Sequence, residues 1–429
     1  MTHTMSPVDR QSALSRMKSE EFDLAIIGGG ITGAGVAREA AGRGLKVALV
    51  EACDFASGTS SRSSKLIHGG IRYLENYEFG LVFEALSERQ LLFETACHLV
   101  HPLRFLIPVY KSGRVPAWKL GLGMMAYDAL SLFEAPELHQ YHSSDELHLE
   151  YPELRREDLV GGFSYSDAYM DDDRLVHETM RSAHAWGAQV ANYVRAKALR
   201  LDNGKAKALI CRDEATGSEF ELRARHLVAS VGPWTDRVGG LLFGKWKPTL
   251  RPSKGVHLTF SRARFPLKTA IVMAAEKRIV FAIPRHEMVI VGTTDTDYSQ
   301  DPSEVRADRQ DVQYLIEVTN RYFPGLDIRP TDILACYAGV RPLVDDGSST
   351  ESKTSREHAI WTEPHGVTFV SGGKYTTYRK MAEDVVHEVL KSFTRSERAR
   401  FAQSRSKEPL NPRVTPGLLR EAQLQSQNW

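Results

Sequence analysis

One short stretch near the start of the chain constrains its fold more than any other feature. An apolar run, residues 22–27, stops at three consecutive glycines, residues 28–30. An alanine-rich segment with helical character follows at residues 32–43, and a second apolar run at residues 46–50. Short apolar runs that end at glycine are typical of buried parallel strands, and parallel strands need a crossover segment between them. The pattern therefore predicts a strand–helix–strand unit that opens an α/β domain.

The glycines of this unit have the spacing of a dinucleotide-binding turn. Gly28 permits a tight turn, Gly30 lets the backbone approach a pyrophosphate, and Gly33 lets helix and strand pack closely. The pyrophosphate would meet the free N–H groups at the start of the helix. Glu51, at the tip of the second strand, would accept hydrogen bonds from a ribose. The fingerprint alone does not separate NAD from FAD.

Composition excludes several classes of protein. The chain has 429 residues, 42% of them hydrophobic, which is enough for two or three domains with large cores. Its 55 basic and 54 acidic residues give a net charge of +1, so nucleic acid is not an expected partner. The four cysteines form no C-x-x-C pair and the histidines no H-E-x-x-H motif, so we expect a cytoplasmic protein without a metal site. Residues 1–20 are expected to be a flexible leader, and no segment has the length and apolarity of a membrane span.

A polar loop after the second strand narrows the choice of cofactor. Residues 57–74 are rich in hydroxyls, glycines and cations, which suits a loop that donates hydrogen bonds to a pyrophosphate and a flavin edge. Residues 27–35 and 63–75 resemble two motifs of the FAD-dependent glycerol-3-phosphate dehydrogenases. Four further stretches resemble other motifs of that family in the same order: residues 230–234, 292–295, 339–343 and 372–379. The resemblance covers the chain from about residue 21 to residue 393.

The resemblance implies a fold of the α/β class with an α+β cap. A Rossmann-like FAD-binding domain is joined to a sheet-based substrate (cap) domain, as in D-amino-acid oxidase. We expect the FAD-binding domain at residues 21–98, 168–245 and 335–393, and the cap domain at residues 99–167 and 246–334. Residues 394–429 are expected to be a C-terminal tail, without the additional helical domain that many family members carry. In the first helix, Glu39 stands where the family usually has Asp.

The resemblance also implies which residues bind FAD, which the family holds without a covalent link. His68 is therefore expected to hydrogen-bond on the flavin side rather than to form a bond to the ring. The expected cofactor-binding residues are Gly28, Gly30, Ile31, Thr32, Gly33, Glu51, Ser60, Ser61, Ser64, Lys65, Leu66, His68, Gly69, Gly70, Val194, Gly232, Trp234, Gly339, Arg341, Gly373, Lys374 and Thr376.

The implied substrate is glycerol 3-phosphate, a dianion whose pocket needs fixed cations and hydrogen-bond donors. The resemblance points to six substrate-binding residues, which are Arg72, Tyr73, His257, Arg341, Arg356 and Lys374. Arg356 lies in a polar stretch, where a solvated surface cation is the alternative interpretation.

The implied reaction oxidises sn-glycerol 3-phosphate to dihydroxyacetone phosphate, with a hydride passing from C2 to flavin N5. The expected catalytic residues are His257, Arg341 and Lys374. We expect His257 to be the base because imidazole titrates near neutrality, and a strand histidine bonded to backbone is the alternative. Arg341 is expected to stabilise the developing alkoxide, since a guanidinium is a poor base, and Lys374 to share that role.

The family passes electrons to a membrane quinone. Residues 108–133 combine cations with Trp118 and other apolar side chains, which favours peripheral contact with the inner face of the cell membrane. A cap-domain helix packed on its neighbour is the alternative for this segment, and a homodimer stays open. Two other functions also stay open: an oxidase that passes electrons to oxygen and makes peroxide, and a non-catalytic flavin-binding subunit.

Overall fold

The computed structural model describes residues 5–275, 278–345 and 357–426, apart from the side chains of Arg72, Asn76 and residues 422–426. Its α-helices are α1 (Pro7–Ser19), α2 (Ile31–Gly42), α3 (Phe79–Thr95), α4 (Ala117–Leu130), α5 (Ser144–Glu150), α6 (Asp172–Ala185), α7 (Thr235–Phe243), α8 (Arg309–Tyr322), α9 (Tyr378–Leu390), α10 (Arg395–Arg400) and α11 (Pro416–Ser426). Its strands are β1 (Glu21–Ile27), β2 (Val47–Val50), β3 (Leu66–Ile67), β4 (Val100–Tyr110), β5 (Gln140–Ser143), β6 (Leu159–Met170), β7 (Gln189–Ala191), β8 (Val194–Asp202), β9 (Lys205–Asp213), β10 (Glu219–Ala229), β11 (Ser253–Ser261), β12 (Ala270–Ala275), β13 (Arg278–Arg285), β14 (Met288–Gly292), β15 (Thr296–Asp297), β16 (Ile333–Arg341), β17 (His358–Thr362) and β18 (Val367–Gly372).

The first sheet contains the predicted strand–helix–strand unit. Strands β18, β10, β1, β2 and β7 lie side by side in that order and run parallel. Strand β17 pairs antiparallel with β18, and β8 and β9 extend the sheet beyond the start of β10. The prediction for residues 22–50 is confirmed, because α2 connects the adjacent parallel strands β1 and β2. Ile27 lies opposite both Val50 and Ala229, so the three strands end together at one edge.

Helices α2, α6 and α9 cover one face of this sheet. Helix α2 is rich in alanine and glycine, so its small side chains let the neighbouring helices approach closely. A Cβ atom at Gly35 would lie 3.0 Å from the ring of Tyr378 in α9. This packing fixes the start of α2 against the end of β1.

The second sheet belongs to the neighbouring domain. Strands β11, β14, β13, β12, β4, β6 and β3 follow one another in that order, and β5 lies beside β6. Strands β14 and β15 pair with successive parts of one edge of β11, and β16 pairs with its other edge. Side chains alternate between the faces of a strand. Along β11, Val256 and Leu258 pack in a core with Leu315 of α8, and Gly255 and His257 occupy the alternate positions. The predicted α/β architecture with a sheet-based cap is confirmed.

The prediction of a flexible leader is wrong for the part of it that the structure describes. Helix α1 packs against β7 and β10, and it buries Ala13, Leu14 and Met17. Arg10 adds an ion pair with Asp213 at 2.6 Å. The polar composition of residues 1–20 concealed this helix, since its few apolar residues meet strands that are remote in sequence.

Two predicted domain boundaries shift. Strand β16 pairs with β11 over its whole length, so residues 335–341 belong to the second sheet rather than to the FAD-binding domain. Strand β6 continues in the second sheet to Met170, beyond the predicted boundary at residue 168. Both predicted boundaries fall inside strands, because an apolar strand sequence does not reveal which sheet the strand joins.

The segment predicted as a tail packs on the first domain. Phe401 and Leu410 are buried in the same cluster as the side chains of α2 and α9. The guanidinium of Arg38, on α2, is buried and donates to the carbonyl oxygens of Ser406 and Glu408, both at 2.6 Å. These carbonyl groups solvate a buried charge, so residues 406–408 are part of the first domain's structure.

Candidate active site

The glycine turn after β1 has the tight geometry that its sequence predicts. Gly28 has a φ of +108°, a left-handed conformation that favours glycine. A Cβ atom at Gly33 would collide with the carbonyl oxygen of Gly28, so α2 and the end of β1 touch backbone to backbone. Only glycine at these two positions gives this close approach.

Polar groups converge on the open side of this turn. The N-cap residue of α2 is Gly30, which has no side chain to cap the helix. The Ile31 N–H donates to the Ser60 hydroxyl at 3.0 Å. The half-buried Glu51 carboxylate accepts from the N–H groups of Gly29, at 2.7 Å, and Cys53, at 2.8 Å. A hydroxyl and a carboxylate therefore each bind a backbone N–H group of the turn or of the first residue of α2.

The polar loop at residues 57–74 joins the two domains. The Thr59 hydroxyl donates to the carbonyl oxygen of Val340 in β16, at 2.6 Å. The Lys65 ammonium pairs with the fully buried Asp172 at 2.5 Å, which anchors the loop to the start of α6. Strand β3 of the same loop pairs with β6. The loop therefore contacts both sheets and brings the turn beside β11 and β16.

Glycines remove side chains from one face of the second sheet at this junction. Gly255 lies opposite Gly339, and Gly292 lies opposite His257. A Cβ atom at Gly255 would lie 2.5 Å from Nη2 of Arg341, and one at Gly292 would collide with the ring of His257. The guanidinium and the imidazole thus lie flat on bare backbone. We call the backbone of Gly255, Gly292 and Gly339 the glycine floor.

His257 is held beside the polar loop and kept neutral. Its Nε2 atom is 2.8 Å from the Ser64 hydroxyl, and its ring stacks on Tyr337 at 4.8 Å and 13°. Burial lowers the pKa of His257 to about 3, with the positive charges of Arg341 and Lys65 acting in the same direction. The prediction that this imidazole titrates near neutrality is therefore wrong, because the sequence did not show how deeply it is buried between two cations.

Arg341 is fixed by the loop between β14 and β15. Its Nη2 atom donates to the Thr293 hydroxyl at 2.8 Å, and its Nη1 atom donates to the Asp295 carboxylate at 3.2 Å. Its side chain is 23% exposed, so the guanidinium is held in place without being fully enclosed. A positive charge is thereby presented next to a neutral imidazole on the glycine floor.

Lys374 lies in a second cluster with the predicted substrate residue Tyr73. The Lys374 ammonium is 3.8 Å from the centre of the Tyr73 ring, a cation–π contact. A Cβ atom at Gly70 would lie 3.6 Å from the same ammonium. The Thr376 hydroxyl bonds to the backbone of His68 at 3.2 Å, which ties the C-terminal motif to the polar loop.

The comparison with known proteins decides the family. Residues 23–379 match the family described as FAD dependent oxidoreductase. The aerobic glycerol-3-phosphate dehydrogenase of Bacillus subtilis is 40% identical over 387 residues, which are 90% of this chain and 70% of that protein. This chain belongs to the FAD-dependent glycerol-3-phosphate dehydrogenase family. The protein of the same description from Staphylococcus haemolyticus is 36% identical over 94% of this chain and 73% of its own length.

Solved structures agree with this assignment. The glycerol-3-phosphate dehydrogenase of Bacillus halodurans, solved with FAD, matches with a TM-score of 0.73 at 33% identity, over 89% of this chain and 67% of that one. The L-alpha-glycerophosphate oxidase of Mycoplasma pneumoniae matches with a TM-score of 0.67 over 87% of this chain and 95% of its own. Its 19% identity shows the shared fold alone.

The residues around the glycine turn fit FAD, the cofactor of the family. Glycine at positions 28 and 33 and at the N-cap of α2 lets a pyrophosphate approach the backbone N–H groups at the start of this helix. Glu51 stands at the end of β2, where a ribose would be received. Val194 lies next to it, donating its N–H to the carbonyl oxygen of Glu51 at 2.7 Å.

The other predicted cofactor residues lie along the polar loop or at neighbouring chain turns. The ring of Trp234 packs on Gly58, where a Cβ atom would be 2.9 Å away. Gly232 and Gly373 have φ angles of +52° and +78°. The rest of the predicted set lies on α2 and its turn, on the loop itself or on the glycine floor: Ile31, Thr32, Ser61, Leu66, Gly69 and Gly339.

Two predicted substrate residues are not placed. Arg356 lies outside the described residues, as does the side chain of Arg72, whose backbone belongs to a 3-10 helix, Ile71–Asn76. Sequence reasoning missed Tyr337 and Asp295 as site residues. Tyr337 lies two positions before Gly339, and residues two apart on a strand share a face, so the strand pattern could have revealed it. Asp295 closes the family motif at residues 292–295.

The glycine turn gives a first prediction. In Gly33→Ala, the added methyl collides with the Gly28 carbonyl, and overpacking of this kind costs about 1–3 kcal/mol. We expect FAD to bind about ten- to a hundredfold more weakly when the turn deforms. The measurement is the dissociation constant of FAD for the apoprotein, with Gly240→Ala in α7 as control, because a Cβ atom there meets nothing within 4 Å. Equal affinity in the two variants would contradict the prediction.

The neutral state of His257 gives a second prediction. In His257→Gln, we expect kcat/KM for flavin reduction to fall by about 100-fold or more, since a positioned proton acceptor is lost. With the pKa of His257 at about 3, the ratio of wild-type to variant kcat/KM is expected to stay constant between about pH 5.5 and 8.5. The ratio cancels the ionisation of the substrate's own phosphate.

His142→Gln is the matched control, because the His142 ring is bonded to the Ser164 hydroxyl at 2.7 Å in the same sheet. This control is expected to keep the wild-type rate. If the ratio of wild-type to His257→Gln kcat/KM changed around pH 6.5, His257 would titrate there, and the interpretation of a neutral imidazole would be wrong.

Proposed function

We propose that this protein oxidises sn-glycerol 3-phosphate to dihydroxyacetone phosphate with FAD and passes the electrons to a membrane quinone. One observation carries the proposal: a fixed guanidinium, Arg341, lies beside a buried neutral imidazole, His257, on the glycine floor. An anionic alcohol needs this combination, a permanent cation for its charge and an acceptor for its hydroxyl proton. The relatives at 36–40% identity, described as aerobic glycerol-3-phosphate dehydrogenases, support the same substrate.

The cations divide the work of binding. Arg341 offers a permanent positive charge, and its loop contacts hold the guanidinium in one plane. The Lys374 ammonium is a compact charge held against the Tyr73 ring. A dianion in a pocket that water enters poorly needs both charges to offset the loss of its hydration.

The proton of the C2 hydroxyl is assigned to His257. Among the residues that the structure describes, its buried Nδ1 atom has no hydrogen-bond partner, and a substrate hydroxyl would supply one. A nearby dianion favours the protonated form of an imidazole, so substrate binding raises the pKa of His257 toward the value that proton transfer needs. Arg341 would stabilise the negative charge that develops on the C2 oxygen. When bound, FAD supplies the acceptor for the hydride that leaves C2.

Helix α4 supplies the surface for membrane attachment. Trp118, Leu122 and Met125 recur along one face and are 69%, 58% and 59% exposed, while Met124 and Tyr127 of the same helix are buried. One face of this helix is therefore packed against the protein, and the exposed face supports the proposed membrane contact. Leu132 and Phe133 extend the exposed surface, and these five exposed side chains form what we call the apolar patch.

We place the apolar patch on the cytoplasmic face of the cell membrane, where a quinone can be reached. None of the helices that the structure describes is long and apolar enough to cross a bilayer. Lys111 and Lys119 are exposed close to the patch in sequence and would meet anionic headgroups. A bare apolar surface flanked by cations is typical of peripheral attachment.

The substrate proposal predicts a selective anaerobic reduction. We expect glycerol 3-phosphate to bleach the flavin absorbance of the holoenzyme within one turnover. Glycerol and glycerol 2-phosphate are expected to leave it unchanged, because glycerol lacks the phosphate charge and glycerol 2-phosphate lacks a free C2 hydroxyl. The acceptor is then tested in air by comparing reduction of a water-soluble quinone analogue with peroxide release. A flavin that glycerol 3-phosphate does not bleach would refute the substrate. One peroxide released for each substrate oxidised would show that oxygen, and not a quinone, accepts the electrons.

The apolar patch gives a prediction about membrane binding. The triple variant Trp118→Ser, Leu122→Ser, Met125→Ser is expected to lose flotation with anionic phosphatidylglycerol vesicles, because it removes the exposed apolar area. Its rate with the soluble quinone analogue should stay within about twofold of wild type, since surface changes rarely alter stability.

The matched control replaces three exposed leucines outside the apolar patch with serine. They are Leu149, Leu241 and Leu334, which are 86%, 54% and 61% exposed. This control variant is expected to float like wild type. Flotation of the patch variant at the wild-type level would move the membrane contact away from α4.

A further inference from the structure

A buried carboxylate stands behind the catalytic guanidinium. Asp295 lies between β14 and β15 and is 8% exposed. One of its oxygens, Oδ1, accepts hydrogen bonds from both the Ser253 hydroxyl and Nη1 of Arg341. Ser253 and Arg341 are direct partners in the pairing of β11 with β16. The same carboxylate oxygen therefore joins the ends of two strands and a loop.

The contacts of Arg341 with this loop define the plane of its guanidinium. Nη2 donates to the Thr293 hydroxyl at 2.8 Å, and both Nη1 and Nη2 lie 3.3 Å from the carbonyl oxygen of Thr294. Gly255 closes the other side, since a Cβ atom there would lie 2.5 Å from Nη2. A planar fork held by acceptors along one edge and by bare backbone on one face has a single orientation.

The sign of the charge shows what Asp295 is for. A carboxylate 3.2 Å from Nη1 repels an incoming phosphate, so it does not serve to increase substrate affinity. Its benefit is orientation, because a guanidinium misplaced by about 1 Å can cost about 100-fold in rate. We propose that Asp295 is a positioning residue, which acts through Arg341 by fixing the guanidinium plane over Gly255. This inference rests on the proposed oxidation of glycerol 3-phosphate, in which Arg341 faces the reacting oxygen.

A split between kcat and KM tests the proposal. In Asp295→Asn, we expect kcat for glycerol 3-phosphate to fall by about 10- to 100-fold while KM stays within about threefold, because the repulsion disappears together with the orientation. Asp297→Asn is the matched control: that carboxylate lies two residues further on, binds Arg251 with two bonds of 2.9 Å and is 57% exposed. The control is expected to keep both constants. A fall in kcat/KM that resides in KM alone, or an equal fall in the control, would overturn the proposal.

A double-mutant cycle separates positioning from a general structural effect. If Asp295 acts through Arg341, its substitution adds little to the loss already caused by Arg341→Lys, so the effects of the two changes are not additive. Additive losses would overturn the proposal. Thr293→Val removes one of the two acceptors of Nη2 without removing a charge, and a smaller fall in kcat is expected there. If Asp295→Asn does not fold, the fall in kcat of Thr293→Val still tests whether the orientation of Arg341 affects the rate.

A crystal structure of the Asp295→Asn holoenzyme decides the matter without any turnover. We expect the guanidinium of Arg341 to leave its place over Gly255, whereas an unchanged guanidinium would refute the proposal. If the wild-type enzyme does not oxidise glycerol 3-phosphate, the proposed function is wrong. The position of Arg341 in wild-type and variant crystals still decides whether Asp295 orients it.

Discussion

The close approach of Arg341 and His257 to the backbone of the second sheet depends on glycine at positions 255 and 292. Strand side chains ordinarily stand away from the sheet and keep charged groups at a distance from it. Where two neighbouring strands carry glycine, a guanidinium and an imidazole can lie directly on the backbone instead. Each ring or fork is then held in one position by the backbone beneath it. The polar loop lies beside this flat area, since Ser64 contacts His257 and Thr59 donates to the carbonyl oxygen of Val340.

Burial and charge together give the site its chemical character. His257 is buried beside Arg341 and Lys65, so its pKa is lowered and the imidazole is uncharged near neutral pH. In the proposed reaction, the negative charge of the substrate would make this group a stronger base in the complex than in the free protein. An imidazole on the surface would be protonated by solvent over much of the acidic range and would lack this selectivity.

Local patterns in the sequence predicted the parts of the fold that depend on near neighbours. The strand–helix–strand unit follows from glycine spacing within residues 22–51, and the structure has it. His257 and Arg341 were assigned through a resemblance to a family, and they lie together because β11 pairs with β16. The pKa of His257, the role of Asp295 and the burial of α1 depend on contacts between segments remote in sequence. No spacing rule reports such contacts, because they exist only once both sheets have formed.

The carbonyl groups that surround Arg38 link the far end of the chain to its beginning. Helix α2 starts at the dinucleotide turn and carries Arg38, whose guanidinium is bound by the carbonyl groups of Ser406 and Glu408. Trimming the chain before these residues would leave the buried guanidinium of Arg38 with the Ser182 hydroxyl but without its two carbonyl acceptors, on the helix that begins at the dinucleotide turn. Shortened versions of this enzyme made for expression or crystallisation should therefore retain residues 394–410, however dispensable a charged C-terminal segment looks on paper.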